Sequence, residues 1–406
     1  MVFQKARNLS HIFYLPRNAW ILTSTSAVWS VGSSMANPYQ TLYFSALGAS
    51  PLYIGLLVGY GTAVTIVSTL IGGYIADTWG RRRVVIIFSW VSVLSSFIYF
   101  LINSPVLIVL PLTLASVSSI YNPAFNSIMM DSIDPADRVR GFSVFNAINT
   151  FPSVFAPTFG GILMNFLGIY DGIKFAYLGS ALFGVIAISI RTRELKETHI
   201  VVRDPTTMKF SLWFYVKNSL VSGVKAIRDA APVVRKLLLY VTLAGIGTGL
   251  TSPYVSIYVV DHLKISPISY SLVVDLAGLS TVVLLFVVIA LIQRMGAKKS
   301  TLIASVAAPV SNIMFAQAKT MDELLEWGVT GAVATALQTP SLSTMQAEAI
   351  PKSERGKILA MFSIFPSLVS LPSSVAAGYL FNISPVSPFI ISLLPFAGAA
   401  LILSSA

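Results

Sequence analysis

Twelve times along this chain an apolar run lasts long enough to cross the hydrocarbon core of a bilayer, which takes ~20 helical residues. The runs fall at about 19–46, 51–77, 84–103, 105–131, 139–167 and 172–190, then at about 234–261, 266–292, 299–318, 324–349, 357–381 and 386–405. In lipid, a helix pairs its own backbone groups, so runs of this length are expected to be helices. The expected fold is therefore an all-α membrane protein. Composition agrees. Only 11% of the residues are charged and 55% are hydrophobic, against roughly 25% charged in soluble domains.

The basic residues test the topology, because short cytoplasmic loops retain Lys and Arg. With both termini inside, all 27 Lys and Arg fall on the cytoplasmic side except Lys174, Lys264 and Lys319. The assignment leaves no Lys or Arg inside a span. The net charge of +11 is spread over these loops and forms no single patch, so nucleic acid is not an expected partner. Residues 1–18 carry Lys5, Arg7 and Arg17 and are expected in the cytoplasm. They do not read as a cleavable signal, since the first apolar run is too long and lacks a small-residue cleavage site.

One hydrophilic connection, 191–233, separates two halves, 1–190 and 234–406. Its second part is amphipathic: Leu212, Tyr215, Val216, Leu220, Val224 and Ile227 recur at helical spacing, with Lys217, Lys225 and Arg228 elsewhere on the wheel. A helix lying on the inner membrane surface is expected there.

The halves are copies of one repeat. Pro38-Tyr39-Gln40-Thr41-Leu42-Tyr43 returns as Pro253-Tyr254-Val255-Ser256-Ile257-Tyr258. Ser50-Pro51 returns as Ser266-Pro267, and Asn122-Pro123 as Thr339-Pro340. Asp131, Ile133, Asp137 and Arg138 return as Glu348, Ile350, Glu354 and Arg355. An even number of spans per half makes the repeats parallel, related by an axis along the membrane normal.

The second run ends in Gly73-Tyr74-Ile75-Ala76-Asp77-Thr78-Trp79-Gly80-Arg81-Arg82-Arg83. This pattern resembles the loop between helices 2 and 3 of major facilitator superfamily transporters, with Thr78 where a basic residue is frequent. A degraded copy, Gly296-Ala297-Lys298-Lys299, has Gln293 in the place of Asp77. The resemblance covers essentially the whole chain and implies twelve transmembrane helices in two parallel six-helix repeats. It implies that Arg81 pairs with Asp131 and that Asp77 faces the other half near the start of helix 11. Such contacts hold the cytoplasmic side closed and break when it opens. Arg138 and Arg355 would support them. The stretch Ala156-Pro157-Thr158-Phe159-Gly160-Gly161 resembles the helix 5 element of the family's antiporters. The small residues of Pro157, Gly160 and Gly161 equally fit ordinary close packing.

In that fold helices 1, 4, 7 and 10 line the cavity. They supply Asn37, Gln40 and Tyr43; Asn122 and Asn126; Tyr254 and Tyr258; and Gln338. Helix 5 adds Asn146 and Asn149. Amides and phenols in lipid face protein or a water-filled cavity. Each is a candidate substrate contact and, equally, a candidate helix–helix hydrogen bond. Without a cation in a span, a neutral, cationic or lipophilic solute is expected rather than an organic phosphate or dicarboxylate.

Asp275, about nine residues into the eighth run, is the one acidic side chain well inside a span. Intramembrane carboxylates mark ion or proton pathways, so it is the candidate proton-coupling residue. Enzymatic readings find no support. Cysteine is absent, and the three histidines, His11, His199 and His262, lie far apart in tails or loops. No phosphate-cradling Gly-rich loop appears. Neither cofactor nor metal is expected. The expected protein is a monomeric secondary transporter in the cell membrane, working by alternating access with the bilayer, a small-molecule substrate and protons as its partners. Export of amphipathic or cationic compounds is the leading expectation. A uniporter or symporter for neutral solutes such as sugars remains open, as does a non-transporting receptor or lipid-handling protein on the same scaffold.

Overall fold

The computed structural model describes residues 15–198, 212–351 and 354–404, and among them every regular element is helical. In the first series, α1 is Arg17–Ala36, continued through a 3-10 turn at Asn37–Tyr39 into Gln40–Ala46. Next come α2 (Pro51–Trp79) and α3 (Arg81–Leu101). α4 runs in the pieces Pro105–Ile108, Val109–Ser118 and Tyr121–Ser132. α5 runs as Arg138–Val154 and Ala156–Leu167, and α6 as Ile169–Glu194. A linker helix spans Leu212–Asp229.

The second series repeats the plan. α7 is Pro232–Thr251, continued through Ser252–Tyr254, Val255–Ile257 and a π turn at Tyr258–His262. α8 is Pro267–Met295, α9 Ala297–Gln317, α10 Met321–Ala349 and α11 Arg355–Ile383. α12 comprises Ser387–Ile391 and Leu393–Ser404.

Eight of the described helices (α2, α3, α4, α6, α7, α8, α11 and α12) are long and apolar enough to cross a membrane by length and composition. The other four expected runs are helices too, but differ for local reasons. α5 breaks at Phe155, so its pieces reach only 17 and 12 residues. α1, α9 and α10 carry more polar residues, such as Thr23 to Ser26, Asn312 and Gln338. A helix that lines a polar space can carry such residues because lipid does not meet that face.

Local chemistry sets the boundaries. Pro267 and Pro232 lie at the first helical positions of α8 and α7, where the missing N–H costs nothing. Ser266 caps α8 by accepting from the Ser269 N–H. Thr320 and Glu323 form a reciprocal capping box on α10. α2 passes into α3, and α8 into α9, through one glycine each: Gly80 at φ 91° and Gly296 at φ 84°. That region favours glycine because it has no Cβ. The repeat is thus visible in the backbone as well as in residue types. The 3-10 turns at Asn37–Tyr39 and Ser252–Tyr254 are a second matching pair.

The chain divides into two compact units, Met1–Pro38 with Val64–Leu212, and Tyr39–Ala63 with Trp213–Ala406. The first unit holds a core of Leu22, Ala76, Val84, Val85, Ala124, Ile128 and Met129. The second holds one of Val234, Leu237, Tyr240, Ile358, Ala399 and Leu403. The C-terminal end of α1 and the N-terminal part of α2, within Tyr39–Ala63, belong to the second unit through close backbone packing. A Cβ placed on Gly55 would lie 2.3 Å from the Ser374 carbonyl oxygen, so only glycine lets α2 and α11 approach this closely. Tyr254 donates to the Pro51 carbonyl at 2.9 Å, and Ser374 to the Gly55 carbonyl at 3.2 Å.

Candidate functional site

The basic turn after α2 is tied down residue by residue. Arg81 Nη1 meets Asp131 Oδ2 at the end of α4 in an ion pair. Arg82 folds the other way, onto the end of α6. Its Nε donates to the Leu195 carbonyl at 2.5 Å and its Nη2 to the Thr192 carbonyl at 2.7 Å. Its backbone N–H donates to Glu197 at 3.0 Å. Cations at a helix C-terminus satisfy orphan carbonyls and complement the helix dipole. Arg138 Nε donates to the Met130 carbonyl at 3.2 Å, and Arg355 Nη2 to the Ala347 carbonyl at 2.9 Å. These two arginines are repeat equivalents, and each closes the last turn of the helix before it. Gly73 is half-buried; Asp77, in the last turn of α2, is exposed.

Ala156 and Pro157 restart α5 after the break at Phe155, with Pro157 in the first turn. Gly160 and Gly161 are buried in that second piece.

Within the first unit, a pocket of about 330 Å³ collects candidates from α4 and α5: Asn122, Asn126 and Asn149 line it. Asn149 Nδ2 donates to the Phe145 carbonyl at 2.7 Å. Sequence reasoning missed the pocket's charge. Arg191 also lines it and is only 5% exposed. Its Nε donates to Thr25 Oγ1 and its Nη2 to Ser26 Oγ, both at 2.7 Å, and its Nη1 to Ser89 Oγ at 3.4 Å. The Phe125 ring lies 5.5 Å from the guanidinium carbon. Thr25 spends its own proton on the Ile21 carbonyl at 2.6 Å, which leaves its lone pairs to accept from Arg191.

This overturns the expectation that no Lys or Arg lies inside a span. α6 does not end at residue 190 but runs to Glu194, and Arg191 turns inward. α7 likewise begins at Pro232, taking Arg235 and Lys236 into its first turns. Among the described residues, no carboxylate comes within 4.0 Å of Arg191. A cation in a span costs ~2.5–3.5 kcal/mol on insertion scales. Hydrogen bonds to charged groups return about 1.5–3 kcal/mol each and a desolvated cation–π contact ~2 kcal/mol, so the neutral partners suffice to hold it.

The second unit places Asp275 on α8, 8% exposed. The Tyr39 phenol interacts with Ser271 and lies within electrostatic range of Asp275, while the Tyr39 and Tyr270 rings meet edge to face at 6.0 Å. A second pocket of about 380 Å³ includes Thr248, Thr281, Asn312, Trp327 and Gln338. Gln338 Nε2 donates to the Tyr240 hydroxyl at 2.8 Å.

The other candidates do not join these pockets. Tyr43, Tyr254 and Tyr258 are buried. Tyr254 stacks on Phe381, and Tyr258 sits among Phe315, Phe389 and His262. Gln40 is half-buried, and Asn37 and Asn146 are exposed. Asp261 was also missed: in the π turn of α7 its Oδ2 accepts from Ser45 at 3.0 Å. It falls at the end of an apolar run, where a loop carboxylate is ordinary.

Two helix series, a glycine-turned basic loop and polar pockets inside helix bundles suit one transporter architecture, and family comparison decides it. The Major Facilitator Superfamily profile matches twice, over residues 22–236 and 237–405. The chain belongs to the major facilitator superfamily. This superfamily member is an all-α, multi-pass membrane protein. It is similar to the MFS-type transporter YqjV of Bacillus subtilis, 26% identical over 152 residues, 35% of either chain. It is also similar to a Na(+), Li(+), K(+)/H(+) antiporter of Planococcus maritimus, 29% identical over 135 residues, 32% of either chain. The chain thus spans about a third of the length of these relatives. Among solved structures, the nucleoside transporter NupG is 15% identical with a TM-score of 0.75, covering 95% of this chain and 98% of that one. At that identity the likeness is one of fold.

Proposed function

We propose that the protein is a proton-coupled antiporter that exports small amphipathic solutes across the cell membrane by alternating access, with both termini in the cytoplasm. The observation that carries this reading is Asp275, a buried carboxylate on α8. Intramembrane carboxylates mark ion or proton pathways, and alternating access would present this one to each side of the membrane in turn. The name of the Planococcus relative, a cation/proton antiporter, supports the same reading. The cationic part of the expected substrate range loses support, because the first unit's pocket already holds a guanidinium.

The test is transport in proteoliposomes with an imposed pH gradient, using matched anionic, cationic and neutral amphipathic dyes. Gradient-driven movement of a dye, abolished by a protonophore, is expected. Movement indifferent to the gradient would replace antiport by uniport. Binding without movement would point to the receptor reading.

A further inference from the structure

We propose that the pocket in the first unit binds an oxyanion of the transported solute, a carboxylate or phosphate on an apolar or aromatic body, with Arg191 as its counter-ion. This rests on the transporter reading and names the substrate class of that same site. Arg191 serves no ion pair among the described residues, although Arg81, Arg17 and Arg140 of the same unit each have a carboxylate. Its partners are three neutral hydroxyls. A guanidinium carries five N–H donors in a rigid fork. Three are engaged, and two remain for a ligand in the pocket that Arg191 lines.

Planar, two-pronged donation is what a carboxylate or phosphate accepts best. The rest of the lining fits such a ligand. Asn122 and Asn126 are exposed to the space and can donate without adding charge. Trp29, Tyr121 and Phe145 offer aromatic surface for the body that carries the anion. A volume of about 330 Å³ holds a headgroup or a small aromatic acid, at the lower end of the ~300–1,000 Å³ of ligand pockets. A purely structural arginine would need neither the open space nor the amides.

The test is binding to the purified full chain in detergent, so it does not depend on transport. Benzoate is compared with benzamide, and phenyl phosphate with benzyl alcohol, by calorimetric titration. The anionic member of each pair is expected to bind and the neutral one not to. Removing one partner of a buried charge pair weakens binding on the order of 30-fold, so Arg191→Gln is expected to lose the anion by that factor. Asn126→Asp places a carboxylate in the pocket as a built-in competitor. It is expected to lose anion binding as well, and it keeps the test open should Arg191→Gln not fold. A short-chain phosphatidate forms a further arm. Binding of phosphatidate alone identifies a lipid headgroup as the source of the anion, and binding of phenyl phosphate identifies a soluble solute; either supports the subsite. Benzamide binding as tightly as benzoate, no binding of any of the anions, or wild-type anion affinity in folded Arg191→Gln or Asn126→Asp, would overturn it.

Discussion

The hydroxyl of Thr41 lies 3.2 Å from the hydroxyl of Ser256, 215 positions away, and the two residues hold the same place in the two copies of the repeat. A residue that meets its own equivalent marks where the repeats touch within the second unit. Around this pair, Ser45 donates to Asp261 at 3.0 Å and Tyr254 to the Pro51 carbonyl at 2.9 Å. Alternating access requires contacts of this kind to open and close, and small hydroxyl pairs can do so at little cost in each state.

Thr41→Cys with Ser256→Cys should therefore form a disulfide under mild oxidation. The chain has no cysteine of its own, so any cross-link belongs to the pair. Side-chain oxygens at 3.2 Å put the Cβ atoms near the ~3.5–4.5 Å that a disulfide spans. Cross-linking is checked by gel mobility after cleavage in the 191–233 connection. Transport is expected to stop on oxidation and return on reduction. No cross-link, or full transport with the cross-link formed, would count against a moving contact.

The Arg81–Asp131 pair is partly solvent-exposed, at 16% and 42% of the two side chains, so its worth to stability is only ~0.2–1 kcal/mol. Its proposed role is conformational. Arg81→Glu and Asp131→Arg singly should slow transport well beyond any loss of thermal stability, and the double reversal should restore part of the rate. Equal loss in all three variants at normal expression would leave the pair without a gating role.

The cap of α10 gives a pH signature outside the membrane. Backbone N–H groups of Lys319 and Thr320 donate to the Glu323 carboxylate and hold its pKa below the usual carboxylate value. A depressed folded pKa means stability that is present above the unfolded pKa and lost as pH falls through the folded one. Wild type should thus lose more Tm than Glu323→Gln on acidification through the carboxylate range. Parallel curves for the two proteins would show the cap to be idle.

What could be read ahead of the structure depended on whether a residue interrupted a pattern or hid inside one. Asp275 stood out because it alone places a carboxylate well inside an apolar run. Gly80 and Gly296 stood out because each lies between a run and a basic cluster. Arg191 hid because a charge at the end of an apolar run reads as a membrane exit. The signal that would have found it is the buried stripe of α6, where Ser180, Gly184, Ala187, Ile188 and Arg191 recur at helical spacing. Asn122, Asn126 and Asn149 could be listed as polar residues in lipid, but which faced a pocket depended on helix rotation. Tyr254 and Tyr258 show the other side of that limit: a phenol in a span satisfies the same reasoning whether it lines a cavity or packs against Phe381 and Phe389.

Asp275 bears the last prediction. It is buried on α8, with the Tyr39 phenol within electrostatic range. If it carries the proton, Asp275→Asn keeps the shape and a donor while removing the titration. The variant should express, hold its thermal stability and bind solute, yet fail to concentrate that solute against a pH gradient. Each charge moved through the membrane potential is worth about 2.3 kcal/mol per 100 mV, so the change in accumulation should be plain in proteoliposome assays. Exchange of solute at equal pH on both sides should survive, because it needs the conformational change but no net proton movement. Asp275→Asn with full gradient-driven accumulation would make the carboxylate structural and move the coupling site elsewhere. Loss of both exchange and stability would mean that Asp275 holds α8 in place through its side-chain contacts, and Asp275→Glu would then fail in the same way.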